Sequence, residues 1–373
     1  MKQAEIVVIG AGPAGLSAAA AAAQAGAQVL VIDENAEPGG QLFKQIHKFF
    51  GASEHRAGQR GVDIGHELLE EVEGLGVEVV LDASVWGIYD GSTVAVASQE
   101  YSWRVKADRI VLATGATENG LSFRGWTLPG VMGAGCAQTM MNVHRVLPGQ
   151  RVVMVGSGNV GLIVAYQLLQ AGAEVVAVVD ALPRVGGYPV HAAKIARAGV
   201  PIYTSYSVKE ADGDECVEKV TIWRVDDRWQ GVPGSEIELD ADTVTLAVGL
   251  SPMAELAWVA GCRFLHIPEL GGHVPVHSAY METTVPGIYV AGDVSGVEEA
   301  SCAMEEGRLA GLWAASAAGR LSVAAAVAAA APHEASLARL RSGPFGAAAR
   351  GGKLAMDGRR DEAWGQTLTR GGA

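Results

Sequence analysis

The chain has 373 residues, 49% of them hydrophobic and 18% charged, which is room for about two domains at roughly 150 residues each. Its net charge of −13 argues against nucleic-acid binding, because neutralising a phosphate backbone takes clustered Lys and Arg. The cysteines Cys136, Cys216, Cys262 and Cys302 are scattered, with no CxxC and no Cys/His spacing for zinc or iron–sulfur. No metal site is expected, and the thiols are expected to be reduced, as in the cytoplasm.

The N-terminus enters a strand within a few residues and has no signal-peptide layout. The alanine run at 18–23 is too short to span a bilayer, so neither membrane insertion nor export is expected. Residues 5–34, EIVVIGAGPAGLSAAAAAAQAGAQVLVIDE, read as strand, glycine turn, helix and strand. Gly10 makes the tight turn, and Gly12 leaves room for a pyrophosphate to approach the backbone. Gly15 lets the helix pack on the strand, and Pro13 and Ala14 open that helix. Its N-terminal N–H groups and dipole then face the phosphates. Asp33, followed by Glu34, ends the second strand where a ribose hydroxyl can be bound.

The loop EPGGQL at 37–42 brings Gly40 and Gln41 after that acid. Lys44, His47 and Lys48 would share one face if FKQIHK were helical, either a solvated basic face or a contact for an anion or a partner. RIVLATGA at 109–116 reads as a strand running into a turn at Thr114 and Gly115. The segment VMGAGCAQTMM at 131–141 holds Cys136, read as a small packed residue.

Residues 151–180 repeat the first unit, with Gly156, Gly158 and Gly161 in the glycine positions and Asn159 and Val160 opening the helix. Asp180 comes one residue later in this unit than Asp33 in the first. An acid there favours NAD(H) by repelling a 2′-phosphate, whereas Arg184 would favour NADP(H). The same unit can also persist as a scaffold without hydride transfer. Tyr188 and His191 are read as structural. The strand at 243–252 leads back out of this region, and GIYVAGDVSG at 287–296 places Gly292 and Asp293 at a strand end. A helix is expected next, with Glu298 and Glu299 in its first turn. Residues 316–373 read as an alanine-rich helix up to Pro332, followed by a flexible Gly- and Arg-rich end. No Ser-His-Asp set or carboxylate pair is apparent, and no catalytic side chain is assigned.

These motifs, in this order, resemble the FAD/NAD(P)-linked reductase superfamily that includes thioredoxin reductase, over about residues 4–315. The resemblance implies an α/β fold of two Rossmann-like dinucleotide-binding domains, the NAD(P)-type domain at 120–249 inserted in an FAD domain at 1–119 and 250–315. It implies FAD in the first cradle, with Gln41 near the flavin and Asp293 on the ribityl chain, and NAD(H) or NADP(H) in the second. Thioredoxin reductases need two cysteines near Cys136, and only one is present, so disulfide reduction is not expected.

The segments at 38–50, 125–142 and 292–311 are similar to a narrower family, the FAD-binding alpha-type subunits of opine oxidase, hydroxyproline or proline dehydrogenase and hydrogen cyanide synthase. That likeness implies an electron-transferring subunit working with a second flavoprotein subunit, which oxidises a small amine, and with an iron–sulfur protein. The sequence departs from the family in having no cysteine after residue 315, so an iron–sulfur centre would sit on another polypeptide. A stand-alone NAD(P)H-dependent reductase and a non-enzymatic nucleotide-binding scaffold are the alternatives.

Overall fold

The computed structural model describes residues 2–49, 53–343 and 345–364. It divides into two compact units, Met1–Thr117 with Ser251–Ala373, and Glu118–Leu250.

In the first unit, β1 (Lys2–Ile9), α1 (Pro13–Gln24) and β2 (Val29–Ile32) form the expected strand–helix–strand. After α2 (Gly61–Gly74) come β3 (Glu78–Val80), β4 (Ser84–Tyr89), β5 (Thr93–Ala97) and β6 (Ser102–Leu112). The short β7 (Ala116–Glu118) stands where the chain leaves this unit. The sheet runs β3-β2-β1-β6-β5-β4, parallel from β3 to β6 and antiparallel across β6, β5 and β4. β1 is apolar on both faces because helices or sheet cover both, as parallel sheets require.

The second unit holds β8 (Val131–Gly133), α3 (Ala134–Asn142), β9 (Arg151–Val155), α4 (Asn159–Ala171), β10 (Glu174–Asp180), α5 (Pro189–Arg197) and β11 (Ile202–Thr204). A meander of β12 (Tyr206–Asp212), β13 (Lys219–Arg224) and β14 (Ile237–Asp240) follows, then β15 (Thr243–Leu246). The parallel sheet is ordered β11-β10-β9-β15-β8. The pairing of β10 with β9 slips between Val175 and Ala177, so β10 carries an inserted residue. That bulge explains the late position of Asp180. It follows Val179, the partner of Val155, just as Asp33 follows Ile32, the partner of Ile9. The two acids are therefore structurally equivalent.

The chain returns through β16 (Leu250–Pro252), α6 (Glu255–Val259), the hairpin β17 (Phe264–Ile267) and β18 (Gly272–Pro275), and β19 (Ile288–Val290), which joins the first sheet beside β6. It ends in α7 (Ala300–Ala317), α8 (Val323–Leu340) and α9 (Ala347–Trp364). The alanine run of α1 has a packing reason. A Cβ added at Gly307 or Gly311 of α7 would lie 2.1 or 2.2 Å from the carbonyl oxygens of Ala14 or Ala18. The two backbones thus approach as closely as glycine against alanine permits, and residues 14–22 of α1 are buried.

Three expectations are corrected. The segment after Pro332 is not flexible through residue 364. α8 continues past Pro332 to Leu340, burying Ala326, Ala330, Ser336 and Leu337, and α9 follows it. Packing against α7 outweighs the lost hydrogen bond of an internal proline, a cost of about 3 kcal/mol. Residues 365–373 of that expected tail lie outside the described residues. Lys44, His47 and Lys48 share no helical face: a 3₁₀ turn ends at Lys44, which is buried, and Lys48 bridges to Arg60 in extended backbone. Finally, α7 starts at Ala300 with Glu299 as its N-cap, so Glu298 lies outside the helix.

Candidate cofactor sites

The first glycine turn is built by close backbone contacts. Gly10 has φ +105°, and a Cβ there would sit 2.3 Å from the Ala113 carbonyl oxygen. At Gly15 a Cβ would sit 1.8 Å from the Gly10 oxygen. Both positions exclude any side chain, and both exclusions come from the fold itself. Gly12 is different. Its φ of −75° suits any residue, and the nearest atom to an added Cβ is Gly40 Cα at 3.8 Å. The fold does not need glycine at Gly12, whereas a ligand lying against the backbone would. No side chain caps α1, whose first residue is Pro13 and whose N-cap is Gly12, so its positive end stays open for an anion.

Three other segments converge on this turn. Ala113 touches Gly10, just before Thr114 and Gly115. The Thr114 hydroxyl donates to the Met253 carbonyl at 2.5 Å, and Gly115 has φ +77°. Gly40 lies so near Gly12 that its Cβ would meet Gly12 Cα at 2.8 Å, and the Gly39 N–H donates to the Ala11 oxygen at 2.7 Å. Gln41 follows and is exposed. Gly292, at φ +73°, faces the Ala14 methyl at the start of α1.

Asp33 reaches the turn, but as a brace. One carboxylate oxygen accepts the Ala11 N–H, and the other accepts the backbone and side-chain N–H of Asn35, each at 2.8 Å. Glu34 beside it is exposed. Burial pushes Asp293 up to about 7, and the neighbouring Glu306 and Glu298 add to the rise. Its Oδ1 accepts the Glu298 N–H at 3.2 Å. A desolvated carboxyl with so few donors is suited to accept a ligand hydroxyl. The open space at Gly12, the uncapped helix and Asp293 together fit a dinucleotide with a polyol arm.

The second turn repeats this construction. Gly156 has φ +108°, with an added Cβ 2.2 Å from the Ala247 oxygen, and a Cβ at Gly161 would meet the Gly156 oxygen at 2.1 Å. An added Cβ at Gly158 meets no atom within 4 Å, and no side chain caps α4, which Asn159 opens. Asp180 accepts the Ser157 N–H at 2.7 Å, the Ser157 hydroxyl and the Leu182 N–H, as Asp33 accepts Ala11 and Asn35. The Gly187 N–H donates to the Ser157 oxygen at 2.8 Å, as Gly39 does to Ala11.

The duplication thus extends to the loops that carry the double glycines at 39–40 and 186–187, where the first glycine of one pair and the second of the other make the equivalent bond. Asn159 Oδ1 accepts the Tyr188 N–H at 2.8 Å, so this side chain holds the loop, while Val160 and Arg184 are exposed. His191 is buried, and burial, helped by Lys194, holds it below the usual histidine range.

Cys136 is exposed on α3, and all four cysteines are free. Burial raises the Cys302 thiol far above its ordinary value, so it is not a thiolate nucleophile. Among the described residues there is no group of three or more His, Cys, Asp or Glu that could hold a metal, and no helix long and apolar enough to cross a membrane.

Sequence reasoning missed a buried ionic cluster beside Asp293. Glu306 accepts the Gly292 N–H at 3.0 Å, the Ser295 hydroxyl at 2.7 Å, Arg341 at 2.6 Å and Lys353 at 2.8 Å. Burial opposes its charge, but Lys353 and Arg341 outweigh that and hold Glu306 well below the carboxylate range. His277 is also buried there. Desolvation, reinforced by Lys353, lowers it to about 3, so it is neutral. Nothing in the sequence pairs these residues, which come from separate elements.

Two glycine turns of one construction, each braced by an acid and opening an uncapped helix, define a two-dinucleotide flavin oxidoreductase architecture. Residues 4–307 match the family described as pyridine nucleotide-disulphide oxidoreductase, and the chain belongs to that family. It is an FAD-dependent oxidoreductase of that type without the disulfide pair.

Among curated proteins it is 34% identical over 336 residues to an opine oxidase subunit of Rhizobium meliloti (strain 1021), covering 83% of this chain and 70% of that protein. It is 27% identical over 318 residues to the alpha subunit of sarcosine oxidase from the same strain, covering 81% of this chain and 29% of that protein. The fold is similar to that of thioredoxin reductase from T. acidophilum, with a TM-score of 0.68, 22% identity, and coverage of 85% of this chain and 99% of that one.

Proposed function

We propose that the chain is the FAD-carrying, electron-transferring subunit of a multi-subunit oxidase or dehydrogenase acting on a small secondary amine or amino acid. The observation that carries this reading is the open cradle at Gly12 in a chain whose cysteines are all free, so that no internal disulfide can take the flavin's electrons. The relatives are named as subunits of opine oxidase and of sarcosine oxidase, which supports a partnership of the same kind here.

Bound FAD would accept electrons as hydride or singly, and this chain's residues supply position and electrostatics. The backbone at Gly10, Gly12 and Gly15, with Pro13 and Ala14 starting α1, holds the pyrophosphate. Asp33 fixes the turn's shape while Glu34 reaches the adenosine ribose. Gly40, Gln41, Thr114 and Gly115 border the cofactor, and Gly292 and Asp293 take the ribityl hydroxyls. In the second cradle, Gly156, Gly158, Asn159, Val160 and Gly161 would hold NAD(H) or NADP(H), and the Asp180 carboxylate favours the form without a 2′-phosphate. The amine is oxidised on a second flavoprotein subunit, an iron–sulfur protein takes the electrons onward, and the assembly works in the cytoplasm.

A second reading, direct reduction by a nicotinamide, is favoured by the open space at Gly158. An anaerobic titration of the flavin band with NADH and then NADPH separates the two. Rapid bleaching makes the chain a nicotinamide-linked reductase and overturns the subunit reading if it also turns over alone. Reduction by dithionite but by neither nucleotide, together with co-purification of partner subunits, supports the proposal.

A further inference from the structure

The two C-terminal helices are joined to the Gly292–Ser295 turn by an ion network that the cradle itself does not require. Lys353 of α9 is buried, and its ammonium donates to the Ser295 carbonyl at 3.1 Å, to the Ser295 hydroxyl at 2.9 Å and to Glu306 at 2.8 Å. All three of its protons therefore end on one turn and on the carboxylate that holds that turn. Arg341, just past the end of α8, reaches Glu306 at 2.6 Å and clasps Glu298 at 2.9 and 2.5 Å. Glu306 spends its other oxygen on the Gly292 N–H and the Ser295 hydroxyl, one residue to either side of Asp293 and Val294.

The docking of α9 is specific in shape as well as charge. Met356 joins an apolar cluster with Leu265, Ile267, Leu270, Val274 and Val276. At Gly352 a Cβ would lie 2.7 Å from Leu270 Cγ, so only glycine lets the helix settle. Leu270 in turn accepts the Val297 N–H from the end of the same turn.

We propose that α9 is a built-in part of the flavin seat: Lys353 is a positioning residue that, through Glu306 and Ser295, fixes the turn bearing Asp293, and it supplies a buried positive charge beside it. This rests on the reading that FAD binds at Asp293. Undocking α9 should loosen the seat and, by removing a cation, make the reduced flavin harder to form.

The test uses the full-length chain and three variants, Lys353→Met, Lys353→Arg and Gly352→Val, with three readouts. These are FAD affinity by fluorescence titration, the flavin midpoint potential, and hydrogen exchange at 292–298 and 347–360. The expected result is at least a tenfold weaker FAD affinity in Lys353→Met and Gly352→Val, faster exchange in both segments together, a lower midpoint potential in Lys353→Met, and substantial recovery in Lys353→Arg. If α9 exchanges freely while residues 292–298, the affinity and the potential stay as in the parent, the proposal is overturned. If Lys353→Met fails to fold, Gly352→Val, which keeps every charge, decides on the same criteria. A parent chain that binds no FAD would sink the function proposed above. Coupled exchange of the two segments would still support the link between α9 and the turn, and independent exchange would refute it.

Discussion

Replacing Gly12 by alanine separates what the fold needs from what a ligand needs. The backbone at Gly12 is extended at φ −75° and ψ −176°, and the added methyl would meet nothing closer than 3.8 Å. Alanine is a poorer N-cap than glycine, by up to about 1 kcal/mol. The loss of a flexible glycine from the unfolded chain returns about 0.4–1 kcal/mol. The net change in stability is thus within about 1 kcal/mol, a shift in melting temperature below about 4 °C.

The same methyl would stand in the space where a pyrophosphate approaches the backbone. We expect FAD affinity to fall by about 100-fold, or about 2.7 kcal/mol. Gly15→Ala is the control. Its Cβ, 1.8 Å from the Gly10 oxygen, forces α1 away from β1 and costs about 1–3 kcal/mol or more before any ligand is added. Thermal melting and flavin fluorescence titration measure both effects. A Gly12→Ala chain that melts as the parent does and binds FAD equally well would refute the assignment of this cradle.

The same logic applied to Gly158→Ala, where no atom lies within 4 Å, predicts unchanged melting and unchanged FAD affinity but weakened NADH binding, read by calorimetry on the holoprotein. Glu306→Ala leaves Lys353 buried without its anion, although Glu298 still pairs Arg341. The expected loss is about 3 kcal/mol, at the lower end for a broken buried pair, and a melting temperature lower by about 6–12 °C. A loss below about 1 kcal/mol would mean that Glu298 serves both cations.

Because the folded state holds Glu306 below its ordinary 4.5, its contribution is present above about that pH and disappears as pH falls further, so acid melts of Glu306→Gln should be flatter there than the parent's. Asp293 has the opposite sign. Raised from 3.8 to about 7, it favours the fold below pH 3.8 and opposes it increasingly as pH rises through 7. Asp293→Asn should therefore stabilise the apoprotein at pH 8 while weakening FAD binding, and a destabilised apoprotein would contradict the burial argument. Pro332→Ala restores a hydrogen bond on an exposed face of α8 and should raise the melting temperature by a few degrees, about 1–2 kcal/mol. A lower one would show that the packing on α7 uses a proline bend.

What was legible in the sequence is what a single stretch of chain decides for itself. A glycine turn between a buried strand and a helix is written in some thirty residues, and both turns form where the sequence sets them, as do the turns at Thr114 and Asp293. The acid offset in the second unit was legible as a number but not as a cause, since the bulge at Val175 and Ala177 exists only against β9.

What was illegible depends on distant partners. The residues beyond Pro332 read as flexible because they carry little apolar signal of their own. They are helical because Ser336, Leu337 and Met356 find other elements to bury against. Charged residues read as solvated unless paired, and the partners of Glu306 lie just past the end of α8, on α9 and in the turn before α7. The largest of these errors lies where the C-terminal helices meet the Gly-Asp turn, whereas the expectation at Lys44, His47 and Lys48 fails separately, because the 3₁₀ turn ends at Lys44 and Lys48 pairs with Arg60. The surroundings of Asp293 thus depend on partners distant in sequence, which marks that turn as a part of the molecule shaped by more than its own sequence.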